Sequence, residues 1–227
     1  MGYRETRILV EGEKLIGEAL RAGLKPESLW LDGPSSFDPG CPLFQVPSQM
    51  YRAASPTRSG QAPLAVFPAP TFADASALTA GRYLLLDSVQ EPGNAGALVR
   101  AAAAFQLDGV LWCQPCVYPY HHACIRASAG SVFHIAQYLF DPETSIGLPL
   151  IGTGTKAASN LDTYQWPEHF ILVLGNEGHG LRETLNNRLA DSVHIPTSTA
   201  VESLNVAGAA HILLYQMTRH HPHQQPR

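Results

Sequence analysis

The sequence predicts an α/β protein: a parallel sheet covered on both faces forms the larger part, and a small α/β unit stands ahead of it. Five short runs, RYLLLD (82–87), GVLW (109–112), LPLIG (148–152), FILVLG (170–175) and SVHIP (192–196), are almost wholly apolar, as strands buried on both faces of a parallel sheet should be. Helical segments fall between several of them. Upstream, a different rhythm of short strands and turn-rich loops ends in FPAPTFADASALTAG (67–81), whose two prolines and many small residues read as a linker. This places a boundary near residue 75, with units 1–74 and 75–227.

Within the first unit RILV reads as a strand, and EGEKLIGEALRAG as an amphipathic helix with Leu15, Ile16, Ala19 and Leu20 on one side. SLWL, LFQV and LAVF follow as short strands, separated by LDGPSSFDPGCP and ASPTRSGQAP. In the second unit EPGNAGALVRAAAAF (91–105) is a turn running into a helix, with Asn94 as the expected cap and Leu98, Ala101, Ala102 and Phe105 as the apolar stripe. Arg100 falls on the opposite face, one turn after Gly96. The pair forms either a concave seat for an anion or ligand, or simply an exposed arginine after a well-capped start. The last helix fits SLNVAGAAHILLYQM, with Ser203 near its cap and Ala207 and Gly208 keeping its first turns thin enough for close approach by another backbone. The tail RHHPHQQPR is expected to fray.

Composition narrows the function. With 45% hydrophobic and 15% charged residues in 227, the chain is neither disordered nor fibrous, and extensive buried interfaces, hence an oligomer, are expected. A formal charge of −4 means that any RNA contact must come from a local basic patch. No run reaches the length of a membrane span and MGYRETRILVEGEKLI lacks the features of a secretion signal, so a cytosolic protein with reduced thiols is expected.

Ligands of open α/β sheets gather at the carboxyl ends of the strands. LIGTGTKA imitates a dinucleotide fingerprint, but ASNLDTYQWPE after it lacks the periodicity of a crossover helix. CQPCVYPYHHAC offers cysteines and histidines in number enough for zinc, yet two prolines sit among them and no second CxxC exists; no metal is expected. In FILVLGNEGHGL the glycines 175, 178 and 180 let backbone approach a ligand, with Glu177 among them. In VESLN, Ser203 and Asn205 either cap the last helix or face a ligand.

Together EPGNAGALVRAAAAF, LVLGNEGHGL and IPTSTAVESLNVAGAA, in this order, resemble the three motifs of the SpoU, or TrmH-like, branch of the SPOUT RNA methyltransferases. CIRASAGSVFHI resembles the family's segment with a basic residue before SxG. VEGEKLIGEAL and SPTRSGQAPLAVF resemble the small substrate-binding domain that often precedes the catalytic one. The resemblance implies S-adenosylmethionine-dependent methylation of a ribose 2′-hydroxyl in RNA by a homodimer with a deep C-terminal trefoil knot. Ribosomal RNA is the expected substrate, with transfer RNA, or a catalytically silent RNA-binding protein on the same fold, as alternatives. It assigns Asn94, Arg100, Glu177, Ser203 and Asn205 to the catalytic site, and Thr153, Gly154, Gly175, Ile195 and Leu204 to the cofactor. Arg100 and Arg126 would meet RNA, Arg126 through a phosphate. Only MGYRET precedes RILVEG, where many relatives carry a further stretch with an Asn-Pro and a basic residue; this departure bears on RNA specificity rather than on the chemistry.

Overall fold

The computed structural model describes residues 3–56, 60, 62–154, 158–176, 178–198 and 203–220. The chain begins with β1 (Arg7–Glu11), α1 (Glu13–Arg21), β2 (Ser28–Leu31), β3 (Leu43–Gln45), α2 (Ser48–Ala54) and β4 (Leu64–Pro68). These strands form a sheet in the order β1-β4-β2-β3, antiparallel except between β2 and β3. Strand side chains alternate between faces, so Ile8, Val10, Leu29, Leu31, Ala65 and Phe67 are buried together on one face, in a core that includes Ile16 and Ala19 of α1.

The chain changes sheets between Pro68 and β5 (Ala73–Asp74). It continues through β6 (Arg82–Asp87), α3 (Pro92–Ala104), β7 (Gly109–Cys113), α4 (His122–Ala127), a single 3-10 turn (Ser131–Phe133), β8 (Ala136–Phe140), β9 (Leu150–Thr153), β10 (Ser159–Asn160), β11 (Phe170–Leu174), α5 (Glu183–Asn186), β12 (Leu189–His194) and α6 (Val206–His220). The second sheet has the order β10-β12-β9-β11-β6-β7-β8-β5, and every pairing in it is parallel. Its central strands are apolar on both faces. Leu84, Leu86, Trp112, Phe170 and Leu172 join the core shared with the front unit. Leu85, Leu111, Ile171 and Val173 fill a second core on the opposite face.

The two units are also clamped at α1. Glu18 lies 2.9 Å from the His134 ring, and a Cβ at Gly130 would stand 2.7 Å from the Glu18 Cβ. Gly130 has φ 84, which a side chain would strain.

Each predicted strand forms. The sequence reading passed over α2, α4, α5, β8 and the two-residue strands β5 and β10. In β8 the buried Gln137 breaks the apolar run, yet its amide is satisfied: it accepts from the Trp112 indole N–H (2.7 Å) and donates to the carbonyls of Ile135 and Val132. At LIGTGTKA the chain goes from β9 to the two-residue edge strand β10, so among the described residues no crossover helix follows the glycines.

Candidate active site

The loops after β9, β11 and β12 lie side by side because those strands are neighbours in the parallel sheet, and the start of α6 closes over them. They enclose a cavity of about 460 Å³. Thr153, Gly154, Gly175, Ile195 and Leu204 all line it, and so do Asn176, Thr197 and Ser203, of which only Ser203 was singled out from the sequence. The Thr153 hydroxyl is fixed by donating to the Val173 carbonyl at 3.3 Å. A Cβ at Gly175 would come within 2.4 Å of the Gly180 backbone, so this position tolerates no side chain. Asn176 and Gly180 exchange backbone bonds of 3.0 and 2.9 Å, closing the glycine loop on itself. At Gly154 a Cβ would meet nothing within 4 Å, leaving bare backbone toward the groove. Apolar Leu174, Val193, Ile195 and Leu204 complete a wall suited to a nucleoside-sized ligand, and the volume lies in the ~300–1,000 Å³ range of small-molecule sites.

A polar hub that the sequence reading missed holds the glycine loop in place. Asp87, 1% exposed at the end of β6, accepts from the Arg182 backbone N–H (2.8 Å) and Nε (2.6 Å). Arg182 Nη2 also donates to the Ser88 hydroxyl (2.8 Å) and to the Gln114 carbonyl. Asn176 Nδ2 donates to the Ser88 carbonyl at 2.9 Å, while its Oδ1 accepts from the Gly178 N–H at 2.9 Å. The loop after β11 is thereby tied to the ends of β6 and β7. The only sequence signal was an aspartate closing an apolar strand.

The first and third motifs meet through two amides: Asn205 Nδ2 donates to Asn94 Oδ1 at 3.2 Å. Asn205 Oδ1 also accepts from the N–H groups of Ala207 and Gly208, so it caps α6, a position expected near Ser203. Asn94 is not the cap of α3. That role belongs to Glu91, whose carboxylate accepts the Asn94 N–H at 2.5 Å, because Pro92 at the first helical position moves the start three residues earlier than expected.

The anion seat at Gly96 is also corrected. A Cβ there would lie 2.5 Å from the Ala127 Cβ and 2.6 Å from the Cys124 carbonyl, so the glycine admits α4 rather than a ligand. Arg100 stays exposed on α3 and lines neither this groove nor the cleft below. Glu177 lies outside the described residues.

Arg126 is elsewhere. It stands exposed on α4 and, with Lys14 and His122, lines a second cleft of about 680 Å³ between α4 and the β1 edge of the front sheet. Burial, together with the neighbouring His121 ring and Arg126, lowers the His122 pKa, so its neutral form is favoured there. Cys113, Cys116 and Cys124 are free, and burial pushes each thiol up to about 12. Among the described residues no group of three or more His, Cys, Asp and Glu is placed to hold a metal ion.

Solved structures share this architecture. An AdoMet-bound rRNA methyltransferase from Sinorhizobium meliloti superposes with a TM-score of 0.85 at 24% identity, over 95% of this chain and 88% of that one. A TrmH-family protein from Porphyromonas gingivalis gives 0.81 at 28% identity, over 95% and 91%. Fold and groove together define a methyltransferase of the SPOUT class. A model of the SpoU rRNA methylase family matches residues 81–215. The 23S rRNA (guanosine(2553)-2′-O)-methyltransferase RlmP of Bacillus subtilis is 32% identical over 220 residues, 92% of this chain and 87% of the relative. The chain belongs to the SpoU rRNA methylase family.

Proposed function

We propose that this protein transfers a methyl group from S-adenosylmethionine to a ribose 2′-hydroxyl of ribosomal RNA. The observation that carries the reading is the convergence of three distant motifs, with the first joined to the third by the Asn205–Asn94 bond beside a groove walled by the second. The cofactor supplies an electrophilic methyl on a sulfonium. Thr153, Gly154, Gly175, Ile195 and Leu204 hold it, largely through backbone and apolar contact. The glycine loop, anchored by Asp87 and Arg182, excludes water and fixes the approach; the family resemblance gives Glu177 a supporting role in the reaction.

Arg100 is the RNA-facing group of the reaction. A guanidinium is a permanent cation, so its role is to orient the target ribose and adjacent phosphate and to stabilise the developing alkoxide, with phosphate relaying the proton. Asn94, Ser203 and Asn205 complete the reacting face. Residues 1–74 and Arg126 gather the RNA, 75–227 the chemistry. The preference for ribosomal RNA rests on the Bacillus relative, whose printed activity is on 23S rRNA.

Two structural expectations belong to the same proposal. The outer face of α6, with Ile212 and Tyr215 exposed and Gly208 leaving open space, supports a homodimer. The position of β12 between β9 and the earlier-made β10 supports threading of the C-terminal segment as a trefoil knot. Among the described residues no helix is long and apolar enough to cross a membrane; a cytoplasmic location is proposed with it.

Calorimetry with S-adenosylmethionine, followed by mapping of 2′-O-methylation in total RNA with and without the protein, tests the reading. One discrete ribosomal mark is expected, lost in Arg100→Lys while cofactor binding persists. Absence of cofactor binding would favour a silent RNA-binding protein.

A further inference from the structure

We propose that the open face of the front sheet is a stacking platform for unpaired RNA bases, centred on Trp30 and Phe44. The inference rests on the RNA-methylating reading and adds where the bases flanking the target are held.

The front sheet has one face in the core and one without a full cover. Register places Leu9, Val66 and Ser28 in one row of the outer face, and Glu11, Leu64, Trp30 and Phe44 in the next. Helix α2 covers the β1 end of the second row: Tyr51 is buried there, with its hydroxyl 3.4 Å from Glu11. Toward β3 the cover ends. Phe44 is 45% exposed, and Leu9, in the first row, 38%.

The two rings are arranged as a surface rather than as a core. Their centroids are 5.2 Å apart and their planes 31° from parallel. The Trp30 indole N–H already donates to the Ser28 hydroxyl at 2.9 Å. Its one polar atom is therefore occupied, and the rings offer π faces. Such a platform accepts any unstacked base, because every base has a π face.

The exposed ring faces and their continuity with the cleft that holds Arg126 point to nucleic acid as the occupant. The outer face runs from Phe44 through Trp30 and Ser28 to Leu9, and Leu9 also lines the cleft where Lys14 and Arg126 stand exposed, with Glu11 and Glu13 at its β1 side. The far wall of that cleft is α4, which packs against Gly96, one turn before Arg100. A strand held at Arg100 passes Arg126 on α4 and then meets aromatic rings, and a cation beside stacking rings is the combination by which single-stranded RNA is gripped.

The full-length chain tests this with fluorescein-labelled ten-residue oligoadenylate and oligouridylate. In the double variant Trp30→Ala, Phe44→Ala, Kd for both oligomers should rise roughly ten-fold or more, the loss of one or two stacked bases. Trp30→Phe, which keeps a ring, should recover most of the affinity. Oligomer binding should quench tryptophan emission in the wild type and much less in Trp30→Phe, since Trp112 and Trp166 are buried. Calorimetry with S-adenosylmethionine, expected unchanged, reports that the variants fold.

Equal oligomer affinity in wild type and double variant overturns the platform while leaving methyl transfer intact, and so does failure of the wild type to bind either oligomer. If instead the double variant loses self-association in sedimentation and keeps its oligomer affinity, the face joins two copies of the chain and the proposal is wrong. Wild-type protein that neither binds the cofactor nor methylates RNA would sink the underlying reading instead.

Discussion

The two sheets of this molecule are finished differently. The eight-stranded sheet is buried on both faces, so its central side chains are committed to packing and chemistry is left to the loops at its strand ends. The four-stranded sheet buries one face and leaves much of the other to solvent. A sheet sealed on both sides builds a rigid, small-molecule groove at its rim, whereas a sheet sealed on one side keeps broad surface for a large partner. Position in the fold, more than residue type, decides which aromatics are structural.

The sharpest way to break this contrast is to truncate one ring in each sheet. Trp112 is fully buried with its N–H bonded to Gln137, and Trp112→Ala should cost about 3–5 kcal/mol in urea unfolding. Phe44→Ala should stay within about 1 kcal/mol. Equal losses would mean that the front sheet's outer face is structural after all.

Next in size is the anchor of the glycine loop. Asp87→Ala removes one partner of a mostly buried ion pair and leaves Arg182 uncompensated, so about 3 kcal/mol of stability should go, with weaker S-adenosylmethionine binding in calorimetry. Full cofactor affinity in that variant would separate the hub from the groove. Asn205 offers a finer cut. Asn205→Ala should cost about 1 kcal/mol as a lost cap, while Asn205→Asp keeps the capping oxygen and loses only the donor to Asn94. Methylation should fall in both if the amide bridge matters to the reaction, and thermal melts should shift mainly in the first.

The smallest effect lies where the two units touch. Bonds to Arg21 and His134 hold Glu18 below the usual carboxylate range. Stability from this group is therefore present above its unfolded-state pKa and disappears as pH falls through the lowered folded-state value. Glu18→Gln should differ from wild type by under about 1 kcal/mol near neutrality, and the two unfolding curves should converge in acid.

Strands of the large sheet were legible because a doubly covered strand must be apolar throughout, and β8 escaped because its core position is taken by Gln137, whose partners Trp112 and the nearby carbonyls become visible only in three dimensions. Gly175 signalled close approach, and the partner is the Gly180 backbone. Gly96 signalled it too, but the partner is α4, hidden in a stretch whose cysteines and histidines suggested ligands instead. The Asp87–Arg182 and Asn94–Asn205 pairs join residues 95 and 111 positions apart; sheet order brings the first together and packing of α3 against α6 the second, so no local pattern announces them.

Timing follows from the way β12 and α6 complete the groove. Its walls come from four segments, and the last, beginning at Ser203, is also the last to be synthesised. A chain whose α6 has not yet left the ribosome has no finished donor pocket, so at that stage it cannot mark the particle that is making it. A nonsense mutation ahead of α6 should therefore yield a protein with most of its sheet and no catalytic output.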